Sequence, residues 1–310
     1  MHAPERETDR VRDWRDLASW RFEGTALAVL GHPIAHSVSP AMHNAALAVM
    51  AQSDTRFADW TYLKFDVPPE ELPQALPALH AAGFHGLNLT IPHKVDALDL
   101  VADVEPAAAQ MGAVNTLVHQ ADGFVGHNSD GFGLEQALRM DLHVELAGAK
   151  VVLLGAGGAA RAAAVQCLRS KCAELWIGNR TPERLQGLLD LLKPVASATP
   201  VCGFDLMRPP TGLPKTAVLI NATSVGLKPG DPSPMDLAGF HALTTVVYDM
   251  IYNPAETPLL HEARQRGLRG ANGLSMLVWQ GVRSLEIWSG ATVPAEAMLT
   301  AARDALAGSR

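Results

Sequence analysis

Two charged side chains stand where a small molecule could be held and a proton moved. Lys94 follows GLNLTI (residues 86–91), in which apolar and polar residues alternate as in a core strand that Pro92 then ends. Asp130 lies within HNSDGFG (residues 127–133), just before a glycine-rich segment. A lysine and an aspartate that face each other in a cleft can bind a hydroxyl group and transfer its proton. Taken alone, each residue is more typical of a solvated surface charge.

Two serines precede a predicted helix. Ser37 and Ser39 lie two residues apart in HPIAHSVSP (residues 32–40), and we expect Ser39 to be the N-cap and Pro40 the first helical residue. Hydroxyl groups beside a helix N-terminus can receive a small carboxylate. Considered alone, Ser39 is better explained as the cap of its helix.

A glycine turn joins an apolar strand to a helix rich in alanine. In VVLLGAGGAARA (residues 151–162), Ala160 takes the place of the third glycine of a dinucleotide-binding fingerprint. Such a turn directs backbone N–H groups and a helix N-terminus at a pyrophosphate, although it is also compatible with close packing and no ligand. The predicted cofactor-binding residues of this turn are Gly155, Ala156, Gly157, Gly158 and Ala159.

The end of the next strand indicates which dinucleotide is bound. NAD-binding proteins usually carry an acidic residue about 20 residues after the glycines, to bond the ribose 2′-hydroxyl. Here ELWIG is followed by Asn179, Arg180 and Thr181, with Arg184 one helical turn later. Two guanidinium groups suit a 2′-phosphate, because arginine forms bidentate bonds to it. The alternative is that both arginines are solvated surface residues, but the pattern favours NADP.

Strands and helices alternate from about residue 25 onward, which predicts an α/β fold with mainly parallel sheets. Strands are expected at 25–31, 61–67 and 174–179, helices at 69–82 and 182–192, and a helical segment from 272 onward. A hairpin is predicted around residues 112–131, turning at residues 121–123. The strand near 217–223 ends in Asn221, Thr223 and Ser224, which we expect to line the cofactor edge.

Composition excludes several classes of protein. The 310 residues carry a formal net charge of −7 without a basic stripe, so neither nucleic acid nor an anionic membrane is an expected partner. No apolar run is long enough for a transmembrane helix, and the charged residues 1–24 are expected to form a flexible or helical extension. Three cysteines without metal-like spacing predict reduced thiols in a cytoplasmic protein and no metal.

A series of motifs resembles the shikimate dehydrogenase family. The motifs occur in the family's order over about residues 25–290, and they read HPIAHSVSP, NLTIPHK, GAVNT, NSDG, GAGGAARA, NRT, NATSVG, DMIYNP and NGLSMLVWQG. The resemblance implies reversible NADPH-dependent reduction of 3-dehydroshikimate to shikimate. It also implies a substrate-binding domain (residues 1–128 and 272–310) and a Rossmann-type NADP-binding domain (residues 129–271).

The resemblance assigns roles to individual residues. It implies that Lys94 and Asp130 form the catalytic pair, with Lys94 the first choice as acid and base. The remaining implied contacts are those to the substrate carboxylate (Ser37, Ser39, Thr90 and Tyr252), to the ring hydroxyls (Asn115 and Gln280, with the catalytic pair) and to the nicotinamide (Met250 and Gly273).

Several alternatives stay open. A quinate/shikimate or aminoshikimate dehydrogenase would share the fold, although a preference of the quinate enzymes for NAD would conflict with Arg180. A protein that only senses NADP or a metabolite would be expected to lack Lys94 or Asp130, and both are present. Ser129 and Ser275 replace residues that are commoner in the family, which leaves substrate preference open. Both a monomer and a homodimer are compatible with the sequence.

Overall fold

Apolar strands alternate with helices along the chain and form two sheets in the computed structural model, which describes residue 8, residues 10–19 and residues 22–308. The chain divides into a first unit, residues 1–129 with 280–310, and a second unit, residues 130–279. The sequence predicts these boundaries at 128/129 and 271/272. The predicted α/β class is confirmed.

The first unit begins with β-strands and short helices. Its elements up to residue 129 are β1 (Val11–Arg12), β2 (Thr25–Gly31), α1 (Ser39–Ser53), β3 (Trp60–Asp66), α2 (Leu72–Ala81), β4 (Gly86–Leu89), β5 (Asp103–Val104), α3 (Pro106–Met111), β6 (Thr116–Gln120) and β7 (Gly123–His127). They form a seven-stranded sheet of order β1-β3-β2-β4-β6-β7-β5. Strands β1 to β4 pair in parallel, whereas β6 pairs antiparallel with both β4 and β7.

The second unit has a regular doubly wound topology. Its elements are α4 (Asp130–Leu142), β8 (Lys150–Leu154), α5 (Gly158–Arg169), β9 (Glu174–Asn179), α6 (Pro182–Leu192), β10 (Val201–Asp205), β11 (Val218–Asn221), β12 (Val246–Asp249), α7 (Pro258–Gln265) and β13 (Arg269–Asn272). All strand pairs are parallel, in the order β10-β9-β8-β11-β12-β13. This order is that of a Rossmann dinucleotide-binding sheet.

Two helices complete the chain, α8 (Leu274–Ser289) and α9 (Ala295–Gly308), so the predicted C-terminal helical segment is confirmed as a pair. The last part of α8 and all of α9 belong to the first unit, where α9 packs against α1. Trp288 of α8 lies over Gly86 of β4 and donates to the Leu117 carbonyl at 2.9 Å. Because a Cβ at Gly86 would lie 2.2 Å from the indole nitrogen, only glycine fits beneath this ring.

The described part of the N-terminal extension forms an edge strand that the sequence does not predict, followed by a short helix. Val11 and Arg12 add a parallel edge strand beside β3, and a 3₁₀ helix follows at Trp14–Ser19. The Trp14 indole donates to Glu71 at 2.8 Å, and Leu17 joins the apolar core of the first unit. Residues 11–17 are therefore packed on the first unit. Of the two expectations for the extension, flexible or helical, the helix at Trp14–Ser19 fits the second, and the edge strand Val11–Arg12 fits neither.

Two local predictions also need correction. In the hairpin of β6 and β7, Gln120 pairs with Gly123, so the turn consists of Ala121 and Asp122 alone and Gly123 opens β7. In β4 all four residues are buried, and the strand stops at Leu89. Ile91, which the alternation assigned to the core, is 76% exposed.

Candidate active site

The serine loop of the first unit connects β2 to α1. Ser39 is the first residue of α1, with Val38 at the N-cap, so the prediction that Ser39 caps the helix is wrong. Instead the Ser37 hydroxyl accepts a hydrogen bond from the Ser39 backbone N–H at 3.3 Å, as a capping side chain would. The loop therefore presents Ser37 at the start of a 15-residue helix, where the helix dipole favours an anion.

A tight turn after β4 carries Thr90 and Lys94. The His93 N–H donates to the Thr90 carbonyl at 3.0 Å, and the Val114 N–H donates to the Lys94 carbonyl at 2.8 Å. The Thr90 N–H bonds to Leu30 of the neighbouring strand β2, which brings this turn beside the start of the serine loop. The parallel strands thus place the predicted carboxylate ligands Ser37, Ser39 and Thr90 at one end of the sheet.

A buried polar network joins β4, β6 and the second half of α8. Asn88 donates its amide to the Asn115 carbonyl and to the hydroxyl groups of Thr116 and Ser284, at 2.9, 3.2 and 2.9 Å. Ser284 in turn bonds to Ser129 at 3.1 Å. Buried polar groups are tolerated when they are mutually bonded, and such a network fixes side-chain orientation.

This network sets the orientation of two predicted substrate ligands, Asn115 and Gln280. Asn115 Oδ1 accepts from the Ser129 N–H at 2.8 Å and from the Thr116 hydroxyl at 3.0 Å. Its Nδ2 donates to Ser129 Oγ and to Gln280 Oε1, at 3.0 and 3.3 Å. Both amide oxygens therefore accept from protein donors, so toward a ligand each amide can act only as a donor, in exchange for a bond that its N–H groups make now.

Asp130 opens α4 in the second unit, where its carboxylate lies in the first turn of the helix and is 3% exposed. A negative charge at this position is stabilised by the helix dipole. Lys94, its predicted partner, belongs to the first unit and is half-buried. Lys94 is thus positioned by the turn after β4 in the first unit, and Asp130 by the first turn of α4 in the second.

The glycine turn has the shape of a phosphate cradle. Gly155 has a φ of +114°, and a Cβ there would lie 2.9 Å from the Ala222 carbonyl oxygen, so glycine is required. Its N–H donates to the Gly178 carbonyl at 2.8 Å, which fixes the turn between β8 and β9. Around Gly157 the space is open, and α5 begins at Gly158, so Gly155 to Ala159 lead from strand to helix as predicted.

The end of β9 presents two unpaired cations. Arg180 and Arg184 are exposed, and among the described residues neither forms an ion pair or a side-chain hydrogen bond. The Asn179 side chain donates to the Thr181 carbonyl at 2.9 Å, which shapes the turn before α6. This chemistry fits a 2′-phosphate, because no carboxylate in the described part of the chain competes for the guanidinium groups.

A buried aspartate organises the other predicted cofactor residues. Asp249 accepts from Thr257 at 2.6 Å, from the Ile251 N–H at 3.1 Å and from Asn221 at 3.0 Å. Asn221 Oδ1 then receives the Thr223 N–H and hydroxyl, at 3.0 and 2.7 Å. Burial raises the pKa of Asp249, while its three hydrogen bonds oppose the rise.

Four further predicted residues belong to the second unit: Met250, Gly273, Ser224 and Tyr252. Met250 follows Asp249, and its carbonyl oxygen would lie 2.0 Å from a Cβ at Gly273, so the two backbones approach closely. Ser224 is exposed in the loop after Thr223. Burial raises the pKa of Tyr252, which keeps the phenol protonated and able to donate to a carboxylate.

Sequence reasoning missed the residues that orient the predicted ligands. Ser284 stands one helical turn after Gln280, and that spacing placed it on the same face of the helix. Asp249 and Thr257 had no comparable signal, because their bond spans a loop between β12 and α7. Among the described residues there is no group of three metal-ligating side chains and no helix long and apolar enough to cross a bilayer.

Comparison with known proteins matches this geometry to one family. A profile described as "Shikimate dehydrogenase substrate binding domain" matches residues 29–117, and one described as "Shikimate 5'-dehydrogenase C-terminal domain" matches residues 273–303. The shikimate dehydrogenase (NADP(+)) of Symbiobacterium thermophilum is 42% identical over 293 residues, covering 93% of this chain and 97% of the relative.

Solved structures agree with the sequence matches. Shikimate 5-dehydrogenase from Thermus thermophilus, in complex with NADP(H) and shikimate, has a TM-score of 0.78 and 35% identity, covering 91% of this chain and 99% of the other. The ligand-free 5-ketofructose reductase of a Gluconobacter strain has a TM-score of 0.79 and 32% identity, covering 92% and 99%. The same architecture therefore occurs in proteins that are named for different substrates.

Proposed function

Because this chain belongs to the shikimate dehydrogenase family, we propose that it catalyses the reversible reduction of 3-dehydroshikimate to shikimate with NADPH. It is thus an oxidoreductase that acts on a CH–OH group in aromatic amino acid biosynthesis. The observation that carries this conclusion is the 42% identity, over 93% of the chain, to an enzyme named for this reaction and cofactor.

We assign the proton transfer to Lys94 and an orienting role to Asp130. NADPH, when bound, supplies the hydride, and its oxidised form accepts one in the reverse direction. The Lys94 ammonium would donate a hydrogen bond to the oxygen at C3 and deliver a proton to it as that oxygen gains electron density. Asp130 would hold the ammonium in place and compensate its charge, since a carboxylate favours the protonated form of a nearby lysine.

The rest of the substrate would be held by neutral side chains. We place its carboxylate on the hydroxyl groups of Ser37, Ser39 and Thr90, joined by the phenol of Tyr252. The ring hydroxyls would accept from the amides of Asn115 and Gln280, whose carbonyl oxygens are already bonded within the network. A ring hydroxyl would replace one of the two acceptors that Asn115 Nδ2 now uses, Ser129 Oγ or Gln280 Oε1.

The dinucleotide would lie on the second unit, at the carboxyl ends of β8, β9 and β11. The turn from Gly155 to Ala159 would take the pyrophosphate, and Arg180 with Arg184 would take the 2′-phosphate. Asn221, Thr223 and Ser224 would line the adjacent edge, with Met250 and Gly273 beside the nicotinamide. The open space at Gly157 and the exposed guanidinium groups of Arg180 and Arg184 support this assignment.

The cellular setting and the assembly are further proposals. Three free cysteines, of which Cys167 and Cys172 are buried, support a reducing compartment, and we propose the cytoplasm. Both a monomer and a homodimer are compatible with the described surface. Light scattering of the purified protein at several concentrations distinguishes these two states.

A nicotinamide absorbance assay tests the proposed reaction. We expect purified protein to reduce NADP rapidly with shikimate, and slowly or not at all with quinate or with NAD. Lys94→Ala and Asp130→Ala are expected to lower kcat by about 10² to 10⁴, the range that general acid–base catalysis supplies. The matched control is the exposed pair Lys193 and Asp190 at the end of α6, whose alanine variants should keep the wild-type rate.

The pattern of substrates decides between the family's branches. Turnover of quinate, or a clear preference for NAD, would assign the chain to the quinate branch. Turnover of an aminoshikimate alone would assign it to that paralogue, and turnover of 5-ketofructose alone would exclude the shikimate reaction. Binding of NADP without turnover of any ring acid would instead support a sensor.

A further inference from the structure

Strand β3 carries a lysine in an unusual place. Lys64 lies between β1 and β2, paired in register with Val11 and Val29, and is only 6% exposed. Lysine is almost never fully buried unless its charge is compensated, because removing an ammonium from water is costly. A buried lysine in the middle of a sheet therefore calls for a specific interaction.

The Lys64 ammonium reaches the serine loop. Its Nζ donates to the Ala35 carbonyl oxygen at 2.8 Å. Ala35 lies in the loop between β2 and α1, within a turn closed by the hydrogen bond from the Ser37 N–H to the Ile34 carbonyl at 3.0 Å. Lys64 thus holds a carbonyl two residues before Ser37. Because consecutive Cα atoms are about 3.8 Å apart, the Cα atoms of Ala35 and Ser37 are separated by at most about 8 Å.

The side chains proposed to bind the substrate carboxylate do not neutralise its negative charge. The hydroxyl groups of Ser37, Ser39 and Thr90 are neutral donors, whereas the ligand assigned to them is an anion. A buried ammonium behind the same loop raises the local potential, and its field is weakly screened because the group is shielded from solvent.

Among the described residues, a second pair of charged groups near this loop is more exposed. His32 and Asp66 pair at 3.1 Å, with side chains that are 44% and 39% exposed, so solvent screens both. Lys94 follows Thr90 in the next turn, but we assign its charge to the C3 oxygen. Lys64 is therefore a buried cation that is bonded directly to the serine loop.

We propose that Lys64 is a positioning residue that makes the site selective for an anionic carboxylate. It holds the serine loop through Ala35 and supplies positive potential where the carboxylate binds. This inference rests on the proposed function, since it deepens the recognition of shikimate at the same site. It predicts that the preference for a charged substrate over a neutral analogue depends on a side chain that does not touch the substrate.

The test compares shikimate with its methyl ester, which has the same ring but no charge. In Lys64→Met, we expect the ratio of kcat/KM for shikimate to that for the ester to fall about tenfold, through KM for shikimate. We expect kcat and KM for NADP to stay within about twofold, because hydride transfer does not involve this loop. Where ester turnover is too slow, competitive inhibition constants give the same ratio.

The ratio is independent of the folded fraction, so partial misfolding of the variant does not affect it. Lys150→Met is the matched control, because Lys150 is half-exposed, pairs with Glu174 and lies in the second unit. An equal fall for acid and ester would mean that Lys64 only packs the loop, and unchanged values would mean that it has no role. Either result overturns the proposal, whereas failure of the wild type to oxidise shikimate overturns the proposed function itself.

Discussion

Acidification is expected to destabilise this protein through His43, a histidine that is fully buried in the first unit. The ring lies on α1, is 0% exposed and stacks on Tyr62 with centroids 4.0 Å apart and planes 1° apart. Trp288 lies 5.9 Å away, and neither ring nitrogen has a hydrogen-bond partner among the described residues. Because burial disfavours the charged imidazolium, the pKa of His43 is lowered to about 3.

The size of the effect follows from linkage. The unfolded chain binds a proton at His43 below a pH of about 6.5, whereas the folded chain stays neutral until about pH 3. Stability is therefore lost as the pH falls between these values, by about 1.4 kcal/mol per pH unit. Between pH 6.5 and pH 4.5 the loss from His43 amounts to about 3 kcal/mol.

Urea unfolding at pH 7.5, 6.0 and 4.5 measures this loss, with His43→Leu as the comparison. Leucine removes the titration, and its constant packing cost shifts the whole curve without changing the pH slope. We expect the wild type to lose about 3 kcal/mol more than His43→Leu between pH 7.5 and pH 4.5. His241→Leu, at an exposed position, should retain the wild-type slope. Parallel slopes for wild type and His43→Leu would refute the reasoning.

Three further outcomes follow from contacts described above. Arg180→Ser is expected to raise KM for NADP by about 10- to 100-fold and to leave KM for NAD unchanged, because it removes charge-assisted bonds to the 2′-phosphate; equal shifts for both dinucleotides in steady-state kinetics would contradict this. Asp249→Asn turns one carboxylate oxygen into an N–H group, so the side chain can no longer accept from both Thr257 and Asn221. We expect thermal unfolding to show a loss of about 1–3 kcal/mol and KM for NADP to rise; an unchanged melting temperature would count against this role of Asp249. Trp14→Phe removes the bond to Glu71, and urea unfolding should show a loss of about 1 kcal/mol with kcat unaltered; a fall in kcat would mean that the N-terminal segment reaches the chemistry.

Local signals predicted several elements of both units. The bounds of β9 and α6 match the sequence-based expectation, as do those of β2. Pro182 at the start of α6 and Gly24 before β2 mark these boundaries, and the intervening residues keep the period of their element. The glycine turn and the two arginines after β9 were recognised for the same reason, because each lies within one short segment.

Contacts between distant segments could not be predicted in the same way. The alternation in GLNLTI predicts that Asn88 lies on the solvent face of the strand and Ile91 on the core face, yet the structure buries Asn88 and exposes Ile91. Asn88 is buried because Ser284, 196 positions away, and Tyr62 complete its hydrogen bonds, and no local pattern contains that information. The edge strand Val11–Arg12 was missed because it is two residues long and owes its conformation to β3.

The division of the first unit between two ends of the chain has a consequence for biosynthesis. Ser284 and Trp288 complete the polar network and the cover over Gly86, and both lie within the last 30 residues. A ribosome exposes the whole second unit before these residues leave its tunnel, so the later part of the chain is ready to fold before the earlier part is complete. Protease protection of ribosome-bound chains should accordingly appear first in residues 130–279. Until then the first unit is incomplete, so we expect it to need chaperones more than the second unit does.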